Sequence, residues 1–133
     1  MFDFLQRLGL KKDTAALRGA PAIRRQKQYA AESGYVYQYF YLGLRDGNRG
    51  IEYVFEVSAH RRAGIPVSVY LSENALRPWE QDHGRELSAA ERYGLVKMAL
   101  FQAFDARPGP DAMDTPVEVT AGDVDAIAET LDL

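Results

Sequence analysis

A chain of 133 residues with 47% hydrophobic and 26% charged side chains fits one globular domain spanning residues 1–133, long enough to bury a core. It contains no cysteine, which excludes disulfides, thiolate metal sites and a cysteine nucleophile and suits a cytoplasmic setting; no apolar run is long enough for a membrane span, and residues 1–12 lack the pattern of a secretory signal. The net charge of -3 hides an asymmetry: residues 1–33 carry seven basic side chains against three acidic, a surplus of +4 that leaves -7 on the remainder.

In chain order, Phe2, Phe4, Leu5 and Leu8 share one side of a short helix ringed by Arg7, Lys11 and Lys12. Such a segment suits either docking on the rest of the fold or peripheral membrane contact through residues 1–12. Gly19-Ala20-Pro21 breaks the chain, and Pro21 is placed to open a second helix over residues 21–33 with a thin apolar face of Ile23, Ala30 and Ala31. Residues 1–33 thus read as a helical amino-terminal segment.

Residues 35–72 hold three β-rich segments and predict an antiparallel meander. Ile51, Tyr53, Phe55 and Val57 alternate with Glu52, Val54, Glu56 and Ser58, and Val67, Val69 and Leu71 alternate with Ser68, Tyr70 and Ser72. The first segment is rich in large side chains on both faces: Tyr35, Tyr37, Tyr39 and Tyr41 form one row, Val36, Gln38, Phe40 and Leu42 the other. A symmetric turn at Asp46-Gly47-Asn48 sets Leu44 opposite Ile51 and Phe40 opposite Phe55, which turns the tyrosines onto the mixed face with Glu52, Glu56 and Tyr70. A glycine bulge at Gly47 or Gly50 reverses that choice.

His60-Arg61-Arg62 forms a polar loop between the second and third strands, a weak candidate for holding a phosphate or carboxylate because arginine presents a planar fork of donors. Ser72 caps a short turn over residues 73–77 that Pro78 interrupts. Trp79, the only tryptophan, suits the end of the core or an exposed binding anchor. Glu80, Asp82, His83 and Glu86 lie close together, yet neither a two-histidine zinc helix nor a spaced calcium loop is present, so no metal is expected.

Ser88-Ala89-Ala90-Glu91 matches a capping box opening a long helix over residues 88–106, whose Leu95, Val96, Met98, Ala99, Leu100, Phe101, Ala103 and Phe104 cover most of its circumference. Arg107-Pro108-Gly109-Pro110 stops it. Residues 115–119 suggest a short edge strand, and Thr120 with Asp123 caps a final helix over residues 121–131. The expected fold is α+β: a three- to four-stranded antiparallel meander sheet, the long helix of the carboxy-terminal half on one face, and amino- and carboxy-terminal helices flanking.

Catalytic signals are sparse. His60 and His83 are the only histidines, and neither a nucleophile elbow nor a phosphate-cradling glycine loop is present. The order helix, three strands, helix is similar in layout to double-stranded RNA-binding domains, but the helix start reads SAAER instead of lysine-rich. Glu52 and Glu56 beside the tyrosines also disfavour nucleic acid. The reading is therefore a non-catalytic interaction or self-association module, with a protein partner or a second copy meeting a tyrosine-rich sheet face. Its candidate contact residues are Tyr37, Tyr39, Tyr41, Glu52, Glu56, Tyr70 and Trp79, and no cofactor is expected. The alternative is a small-ligand pocket or a hydrolytic enzyme using His60 or His83 with a nearby carboxylate.

Overall fold

The alternating segments do form paired strands, at the centre of a larger sheet than the pattern alone implies. In the computed structural model, which describes residues 16–133, five strands pair in the order β1 (Lys27–Ala30), β2 (Val36–Gly47), β3 (Gly50–Ala59), β4 (Ile65–Leu71) and β5 (Val117–Val119). The first four run antiparallel; β5 runs parallel to β4, with Val69 opposite Val117 and Leu71 opposite Val119. A parallel neighbour requires a long crossover. Here the crossover contains α1 (Glu73–His83), α2 (Ala89–Ala106) and a 3-10 turn (Pro110–Asp114), and α3 (Ala121–Thr130) follows β5.

The α+β class holds, while the sheet is five-stranded and mixed instead of three- to four-stranded and antiparallel. Residues 21–33 are not a helix: they form bends and then β1, which pairs Lys27 with Tyr39 and Tyr29 with Tyr37. Tertiary contacts decide this, because Tyr29 stacks on Phe101 at 4.4 Å and donates to Asp105 Oδ2 at 2.8 Å. The helix expected over residues 2–10, and with it the membrane contact of residues 1–12, lies outside the described residues.

The register of β2 on β3 sets which side chains are inside. A two-residue turn, Asn48-Arg49, lies between the paired glycines Gly47 and Gly50, and the strands then pair Arg45 with Glu52 and Leu44 with Tyr53. Leu44 packs against the core, but opposite Tyr53 and not the expected Ile51, because the turn is centred on Asn48-Arg49 and sets Asp46 opposite Ile51. At Leu42 a bulge shifts the register, and beyond it Tyr41 pairs with Phe55, Tyr39 with Val57 and Tyr37 with Ala59. One extra residue inverts every side chain that follows. The expected pairing of Phe40 with Phe55 is therefore corrected: Phe40 lies opposite Glu56 on the outer face, and the tyrosine row turns inward.

That inner face is where the helices pack. Tyr37 is fully buried and stacks on Phe104 of α2 with ring centroids 4.1 Å apart, and Leu95, Val96 and Leu100 are buried alongside. The helix starts are fixed as the sequence indicates: Ser88 and Glu91 form one reciprocal capping box, Thr120 and Asp123 the other. The turn expected over residues 73–77 extends instead to His83. Pro78 lacks the amide that would bond one turn back, but burial of Ala75, Leu76 and Trp79 carries the helix through it, and Gly84 ends it in a left-handed conformation.

Candidate functional site

The inward row creates a pocket at one edge of the sheet. Arg18 exchanges two backbone hydrogen bonds with Leu44, each of 2.9 Å, and the chain then leaves the edge before rejoining it as β1. Gly43 permits the approach: its φ is +126°, and a Cβ there would stand 2.7 Å from the Arg18 carbonyl oxygen. The excursion supplies Pro21, Ile23, Arg25 and Lys27 as one wall of a cavity of about 180 Å³, opposite Tyr39, Tyr41 and Tyr93.

Lys97 stands beside those rings. Its Nζ lies 5.7 Å from the ring centroid of Tyr39, 5.8 Å from Tyr93 and 5.6 Å from Phe101, within cation-π range of all three. Partial burial, and then the neighbouring Lys27, hold the ammonium below the ordinary lysine pKa. Burial pushes the Tyr39 and Tyr93 hydroxyls up, and burial followed by the neighbouring Tyr53 and Tyr93 takes Tyr41 to about 12, so all three remain neutral donors near pH 7. Among the described residues, no carboxylate lines this cavity. Among the described residues, none pairs with Lys97, Lys27 or Arg25.

The expected contact set is divided between places. Tyr37, Tyr39 and Tyr41 are on the inner face; Glu52, Glu56 and Tyr70 are on the outer one. Glu52 is only 2% exposed and accepts from Arg45 Nε at 2.9 Å, Arg45 Nη2 at 3.3 Å and the Ser68 hydroxyl. Burial opposes its charge, but the bonds from Arg45, Ser68 and Tyr70 outweigh that and leave its pKa below the ordinary value. Glu56 lies against Gly64, which has no Cβ to collide with it. Trp79 is buried in α1, stacked on His83 at 3.9 Å, with Arg85 over its ring at 5.2 Å; it is no exposed anchor.

His60 and Arg61 occupy a tight turn at the β3-β4 end, with φ of 54° and 60° and a bond from the Arg62 amide to the Ala59 carbonyl. Both positive φ values match the twist of a hairpin. His60 meets Tyr35 edge-on at 4.8 Å, and Arg62 pairs with Asp111 across a cleft of about 350 Å³ that Asp114 also lines. The three anion candidates are thus adjacent in space, but Arg62 faces carboxylates of the chain's own. His83 is engaged through Nδ1 with the Trp79 carbonyl at 2.8 Å. Glu80 accepts from the Leu87 amide and from Arg92, and among the described residues no group of three potential ligands is placed to hold a metal ion.

Sequence reasoning counted Arg25 and Lys27 only within the basic segment 1–33 and Phe101 only as core, and it missed Tyr93 and Lys97. One signal was available: Tyr93, Lys97 and Phe101 are spaced four apart, which aligns a cation between two rings on one helix face. No family model, curated protein or solved structure matches the chain. Among the described residues, no helix is long and apolar enough to cross a membrane.

Proposed function

We propose that the protein is a non-catalytic binding domain whose site is the cavity between Arg25, Lys27, Tyr39, Tyr41 and Tyr93, and that it takes a small ligand bearing an anionic group. One observation carries this reading: Arg25 and Lys27 line a tyrosine-walled cavity, Lys97 stands beside two of its rings, and among the described residues no carboxylate is in the lining. Like charges held together at a partly buried site repel, and an anion among them relieves the repulsion. The rings supply apolar area and neutral hydroxyl donors, which suits a ligand with a flat body and a charged end.

The self-association reading loses the surface it relied on, because the tyrosine row lies under α2. The large apolar side chains left exposed among the described residues are Ile23 at 66% and Val36 at 40%, too few and too scattered for an interface core.

Calorimetric titration with phenyl phosphate, which carries one ring and one anionic group, tests the proposal. Saturable binding that weakens with added salt is expected. Replacing Arg25 and Lys27 together with alanine is expected to weaken it about tenfold, equivalent to about 1.4 kcal/mol. Binding that persists unchanged in the double variant, or no saturable binding at all, contradicts the proposal.

A further inference from the structure

Lys97 differs from an ordinary surface lysine in three ways, all visible in its surroundings. Its ammonium has no carboxylate partner among the described residues, it lies against three aromatic rings, and it shares its neighbourhood with a second lysine. Desolvation and a nearby cation both favour the neutral amine, the form that attacks a carbonyl carbon. Among the described residues, the titratable groups around it are Lys27 from β1, Tyr39 from β2 and Tyr93 from its own helix.

We propose that Lys97 captures carbonyl compounds as a reversible imine, its ligand being a small aldehyde or ketone that also carries an anionic group. This rests on the anion-binding reading of the cavity whose Tyr39 and Tyr93 rings Lys97 adjoins. Lys27 and Arg25 hold the anionic end, and the carbonyl is presented to Nζ beside the rings of Tyr39 and Tyr93. The amine lone pair forms a C–N bond as the carbonyl π pair moves to oxygen, giving a carbinolamine. With one proton taken from solvent, the carbinolamine oxygen then leaves as water and the nitrogen lone pair forms the C=N bond, so amine, carbonyl compound and proton become iminium and water. No electrons are gained or lost.

The ring cage suits the product as well as the reactant. An ammonium keeps three N–H donors for water, whereas an iminium keeps one and is weakly hydrated. A half-buried site that offers aromatic faces therefore penalises the ammonium more than the iminium. The Tyr39 and Tyr93 hydroxyls, kept protonated by burial, are donors available to the departing oxygen.

Reductive trapping on the full chain tests the inference. The protein is incubated near pH 7 with glyoxylate and cyanoborohydride, and labelling is quantified at Lys11, Lys12, Lys27 and Lys97, the four lysines of the sequence. The α-amino group, whose low pKa makes it reactive anywhere, is left out of the comparison. Lys97 is expected to label about tenfold faster than each of the others, equivalent to about 1.4 kcal/mol, and phenyl phosphate is expected to slow it selectively. Equal labelling of the four lysines, preferential labelling of Lys27, or labelling of Lys97 indifferent to phenyl phosphate overturns the inference. If phenyl phosphate still binds the same preparation calorimetrically in any of those cases, the anion pocket stands without the covalent step. If it does not, both fall.

Discussion

Glu52 is a carboxylate inside a sheet, and its environment fixes how it answers to pH. Two nitrogens of Arg45, the Ser68 hydroxyl and Tyr70 hold its charged form, and its pKa lies below the ordinary 4.5. In the acid range the unfolded chain binds a proton here more readily than the folded one. The stabilisation is therefore complete above the ordinary value and is lost as pH falls through the lowered folded value. Glu52→Gln is expected to cost about 2–4 kcal/mol at neutral pH, because it removes the buried charge that accepts from Arg45 and Ser68, and the difference from the parent should shrink below about pH 4. Urea midpoints measured at several pH values check both parts; a cost independent of pH would contradict the assignment. Tyr37 presents the converse case. Among the described residues its buried hydroxyl has no hydrogen-bond partner, the nearby Ser33 hydroxyl donating to the Phe104 carbonyl instead. Tyr37→Phe is therefore expected to raise stability by about 1 kcal/mol, and a measured loss of that size would show that the hydroxyl is satisfied in solution.

At the scale of elements, a single bulge decides what the molecule can bind. The alternation of β3 and β4 was legible because each has one clearly apolar row, and both capping boxes were legible because the motif is local. The facing of β2 was not, since Tyr39 and Phe40 are both large enough for a core and only a bulge at Leu42 chooses between them. Its β1 neighbour was illegible for a related reason. Lys27, Gln28, Tyr29 and Ala30 carry no strand signature, and the ring stack and hydrogen bond that place Tyr29 involve α2, more than seventy residues away. Gly43 is the test of this region, with its positive φ and the Arg18 carbonyl pressed against it. Gly43→Ala is expected to destabilise by about 2–3 kcal/mol and to weaken phenyl phosphate binding, because the excursion carrying Arg25 and Lys27 is anchored there. Thermal unfolding and calorimetry on the variant read these separately; a variant as stable as its parent would contradict the close approach.

Across the whole molecule, charge is segregated along the chain. Residues 16–31 contain Arg18, Arg24, Arg25 and Lys27 and no acidic side chain, whereas residues 108–133 contain seven acidic residues and no basic one. The asymmetry was readable in the sequence; its destination was not. Folding sets Lys27, which lines the cavity with Arg25, beside Lys97, seventy residues distant, and the inverted β2 supplies the tyrosine rings. Of Arg61 and Arg62, which looked more like an anion site as a string of letters, Arg62 is paired with Asp111. The direct test of where an anion goes is a nuclear magnetic resonance titration with phenyl phosphate that follows the lysine ε-methylene and tyrosine ring signals. Saturable shifts concentrated at Lys27, Lys97, Tyr39, Tyr41 and Tyr93 are the expected result. Saturable shifts around His60, Arg61 and Arg62 with those five unmoved, or no saturation anywhere, would contradict it.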